Sequence, residues 1–164
     1  MHSLRMRRNS YTLLYIIVWG ALMLTACQES TIYNRYLHTN VKGWERNDTL
    51  RFVIPPIKQS GRYTEEVGLR TNGDYPFTDL TLIIEQTKVK AGIKRLDTLA
   101  CTLMNEQGHV EGAGISLYQY TFPLATLELD QEEELHIAVR HDMKREMLPG
   151  ITDIGIRIEK AKLP

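Results

Sequence analysis

From Thr49 onward the chain alternates apolar and polar side chains in one short run after another. Thr49-Leu50-Arg51-Phe52-Val53-Ile54 is rich in β-formers and stops at Pro55-Pro56. Between Arg62 and Thr71, Tyr63, Val67 and Leu69 fall on one side and Arg62, Glu66 and Arg70 on the other. Asp79 to Thr87 sets Leu80, Leu82 and Ile84 on one face, with Ile83 making the other partly apolar. Leu96 to Met104 aligns Leu99, Cys101 and Leu103, and Ile115 to Phe122 carries Leu117, Tyr118 and Tyr120. Glu134 to His141 sets Leu135, Ile137 and Val139 against His136, Ala138 and Arg140; Ile154, Ile156 and Ile158 alternate with Gly155, Arg157 and Glu159. Successive side chains of a strand point to opposite faces, so each run predicts a half-buried strand.

Turn chemistry separates the runs: Thr71-Asn72-Gly73-Asp74, Asn105-Glu106-Gln107-Gly108 and Leu148-Pro149-Gly150 offer residues that reach positive φ at low cost. No long helical pattern interrupts them; Asp142 to Met147 could make a single turn at best. Seven or eight strands at regular spacing predict an all-β fold, an antiparallel β-sandwich with one face of each sheet packed inward.

The front of the chain reads differently. Arg5, Arg7 and Arg8 make a positive segment, and Tyr11 to Leu24 is an apolar run of fourteen residues. A permanent span needs about 20 apolar residues, whereas a secretory leader needs about 7–15. The run ends in Leu24-Thr25-Ala26-Cys27, a hydrophobic residue followed by two small ones and a thiol. That order is the lipobox of bacterial lipoproteins. It predicts cleavage before Cys27 and acylation of its sulfur with palmitate-type chains, two or three of which suffice to hold a domain at a membrane. The expected organisation is a leader over 1–26, a lipidated N-terminus and short tether over 27–32, and one sandwich domain over 33–164. Gln28, in place of an aspartate that would favour inner-membrane retention, leans the expectation to the outer membrane.

Charge and cysteine count narrow the function. Of the 20 basic side chains, three (Arg5, Arg7, Arg8) leave with the leader, so 17 face 20 acidic ones, a net of −3. A mildly acidic surface argues against nucleic-acid binding. With Cys27 committed to lipid, Cys101 has no partner for an intrachain disulfide, and its place in an alternating run predicts a small buried hydrophobe. His136 and His141 are five apart in one strand and so face opposite ways. No metal-ligand spacing, nucleophile elbow or phosphate loop occurs, and Glu132-Glu133-Glu134 reads as a solvated turn. The sequence therefore predicts no enzyme, no cofactor and no small-molecule substrate.

Two places stand out from the scaffold: Gly43-Trp44, and Asn72-Gly73-Asp74-Tyr75-Pro76-Phe77. If exposed, Trp44, Tyr75 and Phe77 could stack on sugar rings or anchor a protein partner; otherwise they cap the ends of the core.

An ordered set of segments adds a further reading. They are the lipobox at Cys27; Tyr33-Asn34-Arg35-Tyr36; Gly43-Trp44 followed by Asp48-Thr49-Leu50-Arg51-Phe52; Val67-Gly68-Leu69-Arg70-Thr71-Asn72; Tyr75-Pro76-Phe77-Thr78-Asp79-Leu80; Gly108, Gly112 and Gly114; and the stretch Met147 to Ile156. In order and spacing they resemble the gliding motility lipoprotein GldH family of Bacteroidetes, over nearly all of the mature chain. The resemblance implies a lipid-anchored envelope protein linked to the gliding and secretion machinery, with Cys27 its only functional position carried over. Two functions follow as expectations: a non-catalytic interaction module that binds envelope motility or secretion-system proteins, or an outer-membrane glycan-binding lipoprotein using Trp44, Tyr75 and Phe77.

Overall fold

The alternation becomes strands almost run for run. In the computed structural model, which describes residues 30–162, ten strands follow one another: β1 (Thr31–His38), β2 (Trp44–Glu45), β3 (Leu50–Ile54), β4 (Gly61–Asn72), β5 (Asp79–Lys88), β6 (Ile93–Thr102), β7 (Leu117–Leu129), β8 (Leu135–His141), β9 (Met147–Leu148) and β10 (Ile151–Lys160). One four-stranded sheet has the order β1-β10-β4-β7 and the other β3-β8-β5-β6; β2 and β9 form a two-residue ladder. Every paired neighbour is antiparallel.

Val67, Leu69, Ile154, Ile156 and Ile158 of the first sheet meet Leu80, Leu82, Ile84, Ile137 and Val139 of the second in one cluster, none more than 1% exposed. Each such side chain contributes about 1.5–3 kcal/mol by leaving water. His136 is exposed and His141 buried, as their odd spacing requires. Cys101 is fully buried, and desolvation pushes its thiol up to about 12.

The structure departs from the pattern in several places. β7 runs on past Phe122 to Leu129, because Pro123 falls where an edge strand tolerates it. The register slips there, Glu65 opposing Ala125 and Glu66 opposing Pro123, so Leu124 is the extra residue of a bulge. β6 starts at Ile93 and lies on an edge, which leaves Ile93 and Leu96 exposed. β1 takes in Thr31 and Ile32, assigned to the tether by pattern. Residues 144–146 bend without forming a helical turn, and Met147 already belongs to β9. In the acidic run only the outer members are solvated. Glu133 is 2% exposed, and its Oε1 accepts the backbone N–H of Lys90 at 2.8 Å, a donor that would otherwise be stranded in the β5–β6 loop. Of the three turns, Gly108 and Gly150 use positive φ, 79° each. The turn at 72–74 is closed instead by the Asn72 side chain, which accepts from the Asp74 N–H at 2.9 Å.

Antiparallel order gives the sandwich two distinct ends. The start of β1, the end of β3, the start of β4 and the end of β10 share one; β2, β9, the start of β5 and the start of β7 share the other.

Candidate functional site

Cys27 and the leader over 1–26 lie outside the described residues. The described chain begins at Ser30 and passes at once into β1, so it enters the sandwich at the first end. There a groove of about 620 Å³ opens between the start of β1, the segment after β3 and the end of β10. Ile54, Ile57 and Tyr63 form its buried floor, and Lys58, Lys160 and Lys162 stand exposed around it.

Trp44, Tyr75 and Phe77 all sit at the opposite end. Trp44 is fully buried in β2, paired with Leu148 of β9. Its ring meets His141 edge-on at 5.2 Å, and its indole N–H donates to the Asp48 carbonyl at 2.9 Å. Burial holds His141 below its usual pKa, against the opposing pull of the Trp44 carbonyl 3.2 Å from Nε2. Tyr75 is 6% exposed and donates its hydroxyl to the Asp79 carbonyl at 2.8 Å. Phe77 is half-buried against it, ring centroids 5.6 Å apart and planes at 71°. Trp44 and Tyr75 therefore close the end of the core, and the three rings offer no common flat face on which a sugar could stack.

The aromatic loops are fixed by close backbone approach. Gly150 accepts the Asn72 N–H at 2.8 Å, and a Cβ added at Gly150 would lie 2.3 Å from the Tyr75 nitrogen. What this end does expose is aliphatic: Val41 and Ile115 stand at 104% and 92% of full exposure, with Leu117 and Met147 partly open.

Two arrangements escaped sequence reasoning. On the outer face of the first sheet Tyr36 lies over Gly155 of β10 and Gly68 of β4, register partners whose missing side chains make room for it. The Arg70 guanidinium stands 4.0 Å from the centre of that ring. Two glycines inside strands are themselves a signal of close approach. The second is Glu65, 1% exposed, whose Oε2 accepts from Gln86 Nε2 at 2.7 Å, a polar bond across the core from one sheet to the other. Its Oε1 has no partner, and desolvation raises its pKa to about 7, opposed by the Gln86 bond and the Arg95 charge. The two glutamates at 65 and 66 face apart, and Glu66 pairs with Arg157 at 3.5 Å on the outer face. Among the described residues no group of three His, Cys, Asp or Glu side chains gathers closely enough to hold a metal ion.

Comparison with known proteins is consistent across most of the chain. Residues 31–158 match the family model described as GldH lipoprotein. The Gliding motility lipoprotein GldH of Flavobacterium johnsoniae is 28% identical over 152 residues, covering 88% of this chain and 94% of that one. The Gliding motility lipoprotein GldH homolog of Christiangramia forsetii is 23% identical over 156 residues, 90% of this chain and 94% of its own. Among solved structures, a 4-O-methyl-alpha-glucuronidase with specificity for decorated arabinogalactans superposes on 83% of this chain and 18% of its own at 9% identity, with a TM-score of 0.46. A likeness at that level carries no argument about function.

Proposed function

The chain belongs to the GldH lipoprotein family, and from that premise we propose that it is a lipid-anchored, non-catalytic component of the envelope gliding and secretion machinery. Cys27 carries the acyl chains, the domain stands on the outer membrane, and its far end docks envelope proteins of the machine. The observation that carries this reading is the polarity of the fold. The chain enters three residues after Cys27 at one end, while Val41 and Ile115, the two most exposed of the large apolar side chains, project at the other with Leu117 and Met147; Ile32, Val53, Val89 and Ile93 are exposed toward the chain entry, but none of them stands as free of the domain. Apolar side chains left in water at the far end support a contact surface there.

The test is an affinity pull-down of the lipidated protein from gently solubilised membranes, with bound proteins identified by mass. Motility or secretion-system subunits are expected, and a Val41→Asp, Ile115→Asp double variant should lose them while melting normally. The Cys27→Ala variant should fold but leave the membrane fraction and lose function. Full function without the lipid would refute the anchor. Retention on polysaccharide columns with no protein recovered would refute the interaction module in favour of glycan binding.

A further inference from the structure

We propose that the lysine-rimmed groove at the anchor end seats the headgroup phosphate of an anionic phospholipid in the leaflet that carries the protein. The inference rests on the anchoring at Cys27 and adds a second, headgroup-specific contact to it.

Reach comes first. Three residues of extended chain span about 10 Å at most, so an acylated Cys27 keeps Ser30, on the groove wall, within about 10 Å of its own Cα. The polar layer of one leaflet is itself about 5–7 Å deep, the difference between whole-bilayer and hydrocarbon thickness shared by two sides. The groove then opens in or beside the headgroup layer, and headgroups are the ligands present there at the highest concentration.

Chemistry comes second. The floor of Ile54, Ile57 and Tyr63 is apolar and at most 3% exposed, and Pro55 and Pro56 lie at its lip. Among the described residues that line it are three ammonium groups and no carboxylate. Among the described residues Lys58 and Lys162 make no ion pair, and the Lys160 ammonium donates only to Gln59 Oε1, at 2.9 Å. The carboxylate that feels Lys162 is Glu159, whose oxygen already accepts the Thr31 hydroxyl at 2.5 Å and pairs with Arg157. A cationic rim over an apolar floor matches a phosphate attached to methylenes better than it matches a free anion or a bare acyl chain.

The same end also carries acid, at Asp130 and Glu132 in the turn between β7 and β8. That turn lies on the other side of the 55–59 segment, where Glu132 N–H donates to the Ile57 carbonyl at 2.8 Å. The far side of the segment is thus of mixed charge, Lys88 and Lys90 donating to the Glu128 and Gln131 carbonyls at 2.6 and 2.8 Å beside the acids, whereas the described groove lining is basic alone. On an anionic leaflet the domain would lean with its basic side down. Each lysine near such a surface is worth roughly five-fold in affinity, so the three together are worth on the order of 100-fold, falling with salt.

The test uses the lipidated full chain in detergent, titrated with short-chain dihexanoyl phosphatidylglycerol and read by hydrogen exchange of backbone amides. Protection over residues 54–63 and 158–162 is expected with this lipid and not with the zwitterionic choline analogue. Replacing Lys58, Lys160 and Lys162 by Gln should abolish the preference for this lipid over the choline analogue, whereas Lys144→Gln with Arg145→Gln, at the far end, should leave it unchanged. Equal responses to both lipids would overturn the proposal. So would equal protection by inorganic phosphate at the same concentration, or an undiminished preference in the triple variant. The mass of the N-terminal peptide from the same preparation reports acylation separately, so failure of the anchor and failure of the groove are read on different signals.

Discussion

Replacing Glu65 by Gln isolates the cost of holding a charge between the two sheets. The carboxyl is buried and bonded on one oxygen only, and its folded pKa is about 7 against 4.5 for the free group. The folded protein therefore holds this proton more tightly than the unfolded chain does. Its contribution to stability is fully present below pH 4.5, declines as pH rises, and is lost above about pH 7. The gap of about 2.5 between the two values, at about 1.4 kcal/mol each, puts the full loss at about 3–4 kcal/mol. Gln keeps the shape and an acceptor for Gln86 Nε2 but cannot ionise. Like the protonated acid, it leaves polar hydrogen without an acceptor at Oε1, so at pH 5 the two proteins should have similar stability.

Urea unfolding at a series of pH values, followed by tryptophan fluorescence, measures the difference. Trp44 is a clean reporter in protein begun at residue 27, which omits the chain's other tryptophan, Trp19. The stability of E65Q relative to wild type should rise by about 2–3 kcal/mol between pH 5 and pH 8.5, part of the loss having already occurred at pH 5. Other titrating groups, His141 and Glu159 among them, are common to both proteins and cancel in the comparison. A difference that stays flat across this range would refute the reasoning, since the carboxyl would then be solvated in the folded protein or ionised without penalty.

Leu82→Asp or Ile137→Asp sets an unpaired charge in the centre of the core, a cost of several kcal/mol that should abolish cooperative melting in circular dichroism. Gly150→Ala should lower stability by about 1–3 kcal/mol in the same assay, since φ is 79° there and the new methyl would meet the Tyr75 backbone. Burial holds the folded His141 below its usual 6.5, so this group alone costs stability as pH falls through and below 6.5, where the unfolded chain takes up the proton first. Glu65 acts in the opposite sense over the same range, so the effect is read as a difference: the stability of wild type relative to His141→Gln should fall between pH 7 and pH 5 in urea unfolding.

Period-two patterning made the sheets legible because burial on one face leaves a mark on every second residue. Val67, Leu69, Leu80, Leu82, Leu135, Ile137 and Ile156 all lie inward where alternation puts them. The pattern loses force where one face is not a core. At the β6 edge Ile93 and Leu96 are apolar and exposed, so the strand's start is invisible to an argument from burial. Pro123 looks like a strand terminator until the strand is known to be an edge with a bulge, and edge position is a property of the whole sheet. Glu65 reads as one more surface acid because its partner, Gln86, is distant in sequence and belongs to the other sheet. The groove is harder still: Lys58, Lys160 and Lys162 come together only through the pairing of β1 with β10 and the return of the chain after β3. The lipobox reading at Leu24-Thr25-Ala26-Cys27 needs no fold at all, because such a signal is a linear pattern.

The aromatics at the far end show how exposure and importance can part company. Trp44 donates to the carbonyl of Asp48 and Tyr75 to that of Asp79, each four residues along its own loop. Both rings are rooted in the core, so each hydrogen bond ties a surface loop to the most rigid part of the domain. Tyr63 does the same at the anchor end, donating to the Gln59 carbonyl at 2.6 Å beside the lysines of the groove. A loop held in this way has already given up much of the conformational freedom that binding would otherwise remove, and the ordering of a single mobile side chain alone costs roughly 0.5–1.5 kcal/mol on association. The buried rings therefore bear on docking without touching a partner: Trp44, paired with Leu148, holds the β2–β9 ladder from which Met147 projects. A surface sensitive to Trp44 would then be one whose contacts lie elsewhere, on aliphatic side chains that no motif in the sequence singles out.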